Sequence, residues 1–363
     1  MKIGLYYDYK EETPLILTAD AKDTDAICLI RYPHRAELYV NGKLTDEEWP
    51  CGNFLRMETE PADLPVEVIV RETEPEKVLP SVTSVFTGAE GWMPGNGVFV
   101  GDCMPYTDDG RYHVLYLYDR HHHRSKWGKG AHQWSHVSTA DFETWQEHPM
   151  CVPVTEPWEG SICTGSFIKA GDKKYLYYTV RTMDGSPAPI CRSVSDDGYH
   201  YKKDRDFSFV LSDRYTGDSA RDPKVVCAED GIFHMFVTST ERKSGCGVLV
   251  HLTSPDLSVW TEEEEPIYRA VNSDEPECSD YLINNGYYYL IFSLRGVGQY
   301  LYSQKPFTEW QIPEDPVIPC ETVPKAASFD GKIIFAGFRR IDNYAGRLTF
   351  REAGTSENGE MRF

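Results

Sequence analysis

Three carboxylates stand at comparable distances ahead of glycine-marked turns. Asp102 lies 8 residues before Gly110, Asp222 lies 9 before Gly231, and Glu277 lies 9 before Gly286. Taken singly, an Asp or Glu beside Gly or Pro at a strand start is a turn former. If the segments carrying them are copies of one unit, all three converge on one pocket, although 120 and 55 residues separate them. Carboxylates gathered in this way resist simultaneous ionisation, so at least one is expected to hold its proton near neutrality. One ionised carboxylate as nucleophile and one protonated carboxyl as general acid is the division of labour in glycoside hydrolysis, with a third free to hold sugar hydroxyls and steady the transition state. Such chemistry needs no cofactor.

The elements that would position these groups are repeated. Gly110 (DDGRYHVLYLY), Gly171 (AGDKKYLYYTV), Gly231 (EDGIFHMFVTS), Gly286 (NNGYYYLIFSL) and Gly331 (FDGKIIFAGFR) each lead into an aromatic strand, at intervals of 61, 60, 55 and 45 residues. A period of this size with several strands per unit predicts a β-propeller, one blade per repeat, and five units predict five blades. Exits from Ser138 to Trp145, Ser195 to Tyr201, Ser254 to Trp260 and Ser303 to Trp310 place an aromatic where neighbouring blades pack. Innermost strands line the central channel of a propeller, so the three carboxylates, at inner-strand starts, are expected to face its mouth.

The fold class is therefore all-β: a five-bladed β-propeller over residues 86–363 behind a small sandwich-like domain over residues 1–85. In that first domain, alternating runs occur at Lys2–Tyr9, Ala26–Arg31, Ala36–Val40 and Pro65–Arg71, and Asn41-Gly42 fits a tight hairpin. In the proline-bearing stretch from Pro61 to Pro80, the Glu-rich second half reads as a linker onto the propeller. The ELYVNG hairpin either packs on the propeller or helps to bind a sugar.

The composition narrows the partners. Against 57 Asp and Glu there are only 37 Lys and Arg, a net charge of −20, which repels phosphate backbones and anionic membranes and favours a neutral ligand over nucleic acid. The ten cysteines form no CxxC pair, as expected of free thiols in a reducing cytoplasm. The opening MKIGLYYDYKEE meets charge before an apolar run forms, so neither signal peptide nor membrane span is expected and a cytoplasmic location follows. His121, His122 and His123, with His113, His132 and His136 nearby in sequence, invite a metal, but successive residues point apart and no zinc-type spacing is present. The expectation is a polar rim loop and no metal. Trp127 and Trp134 flank it, either stacked on a sugar face or packed within a blade.

The ordered set GDCMP, CTGSF, ARDPKV and PECSD resembles glycoside hydrolase family 32, the β-fructosidases of clan J, over about 270 residues. Arg221-Asp222-Pro223 and Glu277-Cys278 match that family's Arg-Asp-Pro and Glu-Cys boxes, Thr164-Gly165-Ser166 corresponds to its Ser-Gly-Ser box, and Trp134-Ser135-His136-Val137-Ser138 to a tryptophan-containing run. The resemblance implies a five-bladed catalytic domain with Asp102 as nucleophile, Asp222 as transition-state stabiliser and Glu277 as acid/base. It also implies retention of configuration, with the Asp102 and Glu277 carboxyls roughly 5–5.5 Å apart. Substrate contacts are expected from Arg221, Thr164, Trp134, Trp127, Leu117 and Cys278.

The chain departs from the family around the sugar. Gly101, Cys103, Met104 and Pro105 replace the Asn, Pro, Asn and Gly around the nucleophile; Leu117 stands where a sugar-contacting Gln is usual, and Asp119 where Asn is. The family's C-terminal β-sandwich is expected to be missing, and an extra β domain is expected to precede the first blade. The expected function is a retaining hydrolase of a fructoside or related glycoside, its partner an oligosaccharide or small glycoside. The alternatives are an arabinoside or xyloside hydrolase, a glycosyl transferase or phosphorylase, or a carbohydrate-binding protein on a degenerate hydrolase scaffold.

Overall fold

The computed structural model describes residues 91–94, 98–119, 132–156, 158–341 and 344–363 in full, together with the backbone of seven strands before them. Those seven are β1 (Lys2–Asp8), β2 (Leu15–Leu17), β3 (Asp25–Arg31), β4 (Ala36–Val40), β5 (Lys43–Trp49), β6 (Phe54–Thr59) and β7 (Val66–Glu72). They form two sheets, ordered β1-β3-β6 and β2-β7-β4-β5. β4 and β5 pair from Val40 with Lys43, the tight hairpin expected at Asn41-Gly42. The expected linker's second half and the domain boundary near residue 85 lie outside the described residues.

Among the described residues all regular structure is strand, and from Phe99 onward it forms successive antiparallel units. Unit one holds β8 (Phe99–Asp108), β9 (Arg111–Asp119), β10 (Gln133–Thr139) and β11 (Trp145–Val152); unit two holds β12 (Glu159–Ala170), β13 (Lys173–Thr182), β14 (Ile190–Ser195) and β15 (Lys202–Phe209). Unit three holds β16 (Arg221–Cys227), β17 (Phe233–Thr240), β18 (Gly247–Ser254), β19 (Thr261–Glu262) and β20 (Tyr268–Arg269); unit four holds β21 (Glu277–Asn284), β22 (Tyr287–Leu294) and β23 (Val297–Ser303). The last unit holds β24 (Thr322–Phe329), β25 (Lys332–Arg340), β26 (Gly346–Thr355) and β27 (Met361–Arg362), and Gly346 of β26 pairs with Val100 of β8.

The turns between first and second strands are where the glycines foretold them. Asp109 and Gly110 (φ 50° and 71°), Asn285 and Gly286 (49° and 78°), and Asp330 and Gly331 (47° and 75°) occupy the left-handed region in pairs. A two-residue hairpin needs both positions there, which Asn-Gly and Asp-Gly tolerate.

First strands meet in a ring. β8 packs on β12, β12 on β16, β16 on β21, β21 on β24, and β24 back on β8. Successive residues of a strand point to opposite faces, so one strand feeds two cores. On β9, Tyr112, Val114 and Tyr116 join Trp92, Phe338 and Phe350 toward the last unit. Leu115 and Leu117 join Trp134, Leu176 and Tyr178 toward unit two. The recurrent exit aromatics sit in these seams as expected: Trp145 stacks on Phe350 of the last unit, with ring centroids 5.3 Å apart, and Trp260 of unit three meets Tyr177 of unit two at 5.9 Å.

Polar side chains bind the ring at its centre. Ser166 of β12 donates to the Pro223 carbonyl at 2.9 Å and accepts the Val225 N–H at 2.9 Å, both on β16. The buried Asp280 of β21 receives Lys224 of β16 at 2.5 Å and the Ala326 N–H of β24 at 2.9 Å. Lys325 of β24, also buried, donates to the Gly165 carbonyl of β12 at 2.8 Å. Burial alone would drive the Lys325 ammonium to shed its proton, and its position is lowered even against the pull of Asp280. The eight described cysteines are free thiols.

Candidate active site

All five first strands are broken at the same place. The ladder skips two residues against one on the partner between Val100 and Cys103, Ile162 and Gly165, Arg221 and Lys224, Glu277 and Asp280, and Thr322 and Lys325. Such bulges bend a strand and re-aim its side chains. In three of them the first skipped residue is left-handed: Asp222 (φ 59°), Cys278 (52°) and Val323 (43°). Aspartate accepts this conformation more readily than a β-branched valine does, so the backbone strain there is held by the surrounding structure.

Aligning the units on these bulges corrects the equal-offset expectation. Glu277 precedes the skipped pair of its strand, Asp222 is the first member of its pair, and Asp102 is the second of its own. Counting from the glycines misled because the skipped pair ends 8 residues before the glycine in units one and three (Asp102 to Gly110, Pro223 to Gly231) but 7 before it in unit four (Ser279 to Gly286), so near-equal offsets of 8, 9 and 9 mark three different places on the strands. The structural counterpart of Asp102 in unit two is Thr164. The three carboxylates nonetheless line one cleft of about 270 Å³, together with Leu117, His132, Thr164, Arg181, Arg221 and Glu275.

Asp222 is almost wholly buried, and both of its oxygens are occupied. Oδ1 accepts a short hydrogen bond from the Thr164 hydroxyl and Oδ2 accepts the Cys278 N–H at 2.9 Å. Arg221 Nε lies 3.6 Å from the same Oδ2. Asp102 is held from below: the Tyr344 hydroxyl donates to its Oδ1 at 2.9 Å and accepts its backbone N–H at 3.3 Å, while the Cys278 thiol approaches Oδ2 at 3.7 Å. Glu277 is more open than Asp222, with its side chain 30% exposed against 4%, and its Oε2 lies 3.5 Å from Arg221.

Arg221 is the electrostatic hub. Its tightest partner is Glu275 at 2.5 Å, and Glu275 is itself anchored by the Thr240 hydroxyl at 2.6 Å. Burial works against the guanidinium charge, but Asp222, Glu275 and Glu277 together outweigh it and hold the proton more firmly than usual. The Cys278 thiol is pushed well up by burial and then by the charges of Asp222, Asp102 and Glu277, so it stays a neutral weak donor.

Six of the nine residues singled out in the sequence come together in the cleft: Asp102, Leu117, Thr164, Arg221, Asp222 and Glu277. Two do not face it. Trp134 is fully buried between units one and two, its indole N–H donating to the Cys163 carbonyl at 2.8 Å, so it is a core residue and not a sugar platform. Its ring, with the Tyr177 carbonyl, leaves no room for a Cβ at Gly165, which explains the glycine of the Thr-Gly-Ser box. Cys278 lies beneath the floor, touching carboxylates instead of solvent. Trp127 and the His121–His123 run lie outside the described residues. Glu275, Arg181, His132 and Tyr344 were missed. Glu275 carried a faint signal in Glu275-Pro276-Glu277, whereas Tyr344 arrives from the far end of the chain with none.

Residues 98–314 match the glycosyl hydrolases family 32 N-terminal domain. The chain is 26% identical over 227 residues to a sucrose-6-phosphate hydrolase of Escherichia coli, covering 59% of this chain and 44% of that protein. Raffinose invertase of the same organism is 25% identical over 198 residues, covering 52% and 40%. The chain thus spans less than half the length of either relative. Among solved structures, fructan 1-exohydrolase IIa from Cichorium intybus superposes with a TM-score of 0.61 at 16% identity, over 75% of this chain and 59% of that one. An exo-1,5-α-L-arabinanase from a bovine ruminal metagenomic library superposes at 0.53 with 16% identity, over 74% and 98%. These likenesses establish a propeller-like fold, and with more than half of its length matched by the family domain, the chain belongs to glycosyl hydrolases family 32.

Proposed function

We propose that this protein is a retaining glycoside hydrolase that cleaves a fructoside or a closely related glycoside, on a propeller of five blades with one blade per unit. The observation that carries this reading is the convergence of Asp102, Asp222 and Glu277 on one cleft around Arg221. Family membership supports it, as do the names of the two E. coli relatives.

Each carboxylate suits a different role. Asp102 is oriented through one oxygen by Tyr344, while the Cys278 thiol approaches the other at 3.7 Å. That second oxygen is the nucleophile: it bonds to the anomeric carbon as the glycosidic C–O bond breaks. Glu277, open to solvent at one side, gives its proton to the leaving oxygen. In the second step Glu277 takes a proton from water, the water oxygen bonds to the anomeric carbon, and the Asp102 ester bond breaks. Asp222 has both oxygens committed to hydrogen bonds, which suits a fixed anion facing the developing oxocarbenium charge more than a group that must form a bond. Arg221 holds sugar hydroxyls beside it.

A second reading keeps this mechanism and changes the sugar, because Leu117 gives the cleft an apolar wall. An arabinoside or xyloside is then the substrate.

Both are tested by measuring reducing sugar released from sucrose, inulin-type and levan-type oligosaccharides and aryl pentosides, with Glu277→Gln as control. Fructose release lost in the control supports the first reading. Pentose release lost in the control supports the second, and no release from any of these sugars overturns both.

A further inference from the structure

Outside the cleft, the largest gathering of metal-ligating side chains among the described residues lies within unit one. His113 on β9, His136 on β10 and His148 on β11 each offer a ring nitrogen, and these atoms lie within 4.8 Å of one another. The register explains why: His136 pairs directly with His148, and His113 pairs with Ser138 two residues further along β10, so all three rings share one face of three adjacent strands. That face meets unit two, where the Tyr199 ring covers it, 4.7 Å from the His148 ring and 6.0 Å from that of His136.

The hydrogen bonds turn bare nitrogens inward. His113 Nε2 lies 3.2 Å from the Asp108 carbonyl, which can only accept, so Nε2 carries the proton and Nδ1 is a lone pair. That Nδ1 is 2.9 Å from His136 Nε2. If His136 Nε2 supplies the proton between them, His136 Nδ1 is bare as well; it is fully buried with no hydrogen-bond partner. Ser138 Oγ, itself held by Arg111 Nε at 2.9 Å, fixes the His148 ring at 2.8 Å. A backbone carbonyl on the far nitrogen of a ligating histidine and a hydroxyl orienting its neighbour are the supports that metal sites use.

We propose that His113, His136 and His148 form a binding site for a divalent first-row transition metal, cross-linking three strands of unit one at its seam with unit two. Tetrahedral zinc with three imidazoles sets the nitrogens about 3.3 Å apart, so the 2.9 Å pair opens slightly and His148, the partly exposed ring of the three, closes in. On binding, the His136 proton moves from Nε2 to Nδ1, so the ring stays neutral and the two facing nitrogens are free for the metal. The Tyr106 hydroxyl, 3.1 Å from His136 Nε2, is at hand as an oxygen ligand or as the partner of a bound water. With three imidazoles and no carboxylate, the site selects zinc, copper or nickel over calcium or magnesium.

The test titrates chelator-treated full-length protein with zinc chloride alone and repeats the titration with cobalt chloride, following the visible absorption. The expected result is one site per chain, a cobalt spectrum of four-coordinate intensity and a metal-dependent rise in melting temperature. His148→Gln, on the partly exposed ring, should melt like the parent without metal and bind zinc at least tenfold more weakly. His113→Asn should do the same. A variant carrying His121→Gln, His122→Gln and His123→Gln should bind as the parent does. Loss of binding in this loop variant but not in His148→Gln would assign the metal to the loop and overturn the proposal, as would the absence of a stoichiometric site in the parent.

Discussion

The Asp222 carboxylate accepts the backbone N–H of Cys278 at 2.9 Å, and both residues sit in the left-handed region, at φ 59° and 52°. The bulge of one unit therefore orients the side chain presented by the next. The bulge on β21 frees the Cys278 N–H from the ladder, and the bulge on β16 puts a carboxylate within its reach.

Because that donor is backbone, replacing the Cys278 side chain should leave Asp222 in place. Cys278→Ala is expected to keep activity within about tenfold of the parent, as only a weak thiol contact is lost. Asp222→Asn should fold yet lower kcat by about 10² to 10³ with little change in KM, the scale seen when one stabilising group at a transition state is removed. Steady-state kinetics on both variants checks the pair; equal losses would mean that Cys278 contributes through its side chain.

Tyr344→Phe removes the hydroxyl that both donates to and accepts from Asp102. Asp102, the nucleophile in the proposed mechanism, loses the hydroxyl that orients its Oδ1. A fall in kcat of about tenfold to a hundredfold, with KM nearly unchanged, is expected. A change confined to KM would count against a positioning role.

Leu117→Gln places an amide on the apolar wall. If fructosides are poor substrates because that wall offers no hydrogen bond, kcat/KM for them should rise by about tenfold relative to aryl pentosides, the worth of one good hydrogen bond. An unchanged ratio would remove Leu117 from the determinants of specificity.

Asp280→Asn leaves Lys224 without its 2.5 Å partner and Lys325 without its nearest counter-charge. Breaking a buried charge group in this way costs about 3 to 5 kcal/mol. Urea unfolding of parent and variant measures it, and a loss below about 1 kcal/mol would show that water reaches the lysines.

Folding also holds several histidines neutral. Burial lowers His113, His148 and His251 to about 4, from an ordinary value of 6.5. The unfolded chain then binds more protons than the folded one between these limits, so the stability these rings contribute is full above about 6.5 and is lost as the pH falls toward 4. Urea midpoints taken with chelator present should drop between about pH 7 and about pH 5. Constant midpoints would mean the rings accept protons in place.

Features carried by local chemistry were legible in the sequence. Asn285-Gly286 and Asp330-Gly331 announce hairpins because few other residue pairs tolerate two left-handed positions in succession, and the aromatic exits announce seams. The convergence of Asp102, Asp222 and Glu277 was legible too, but their register was not, since a bulge has no fixed residue signature and β21 runs one residue fewer than β8 between its bulge and the following turn. Trp134 misled because a tryptophan beside a polar loop has the same composition whether it faces sugar or core. Tyr344 and His148 were invisible for another reason. Their partners are set by ring closure and by strand register, and neither is written near them in the chain.

The five bulges also separate two jobs that a strand usually performs together. Gly101-Asp102, Cys163-Thr164, Asp222-Pro223, Cys278-Ser279 and Val323-Pro324 are the pairs left out of the ladder. Two of them contain proline, which has no N–H to give and is tolerated where the sheet asks for none. Residues there can be exchanged without unpicking the pairing on either side, so the chemistry of the cleft is set by a short string of interchangeable letters mounted on a frame that does not need to read them.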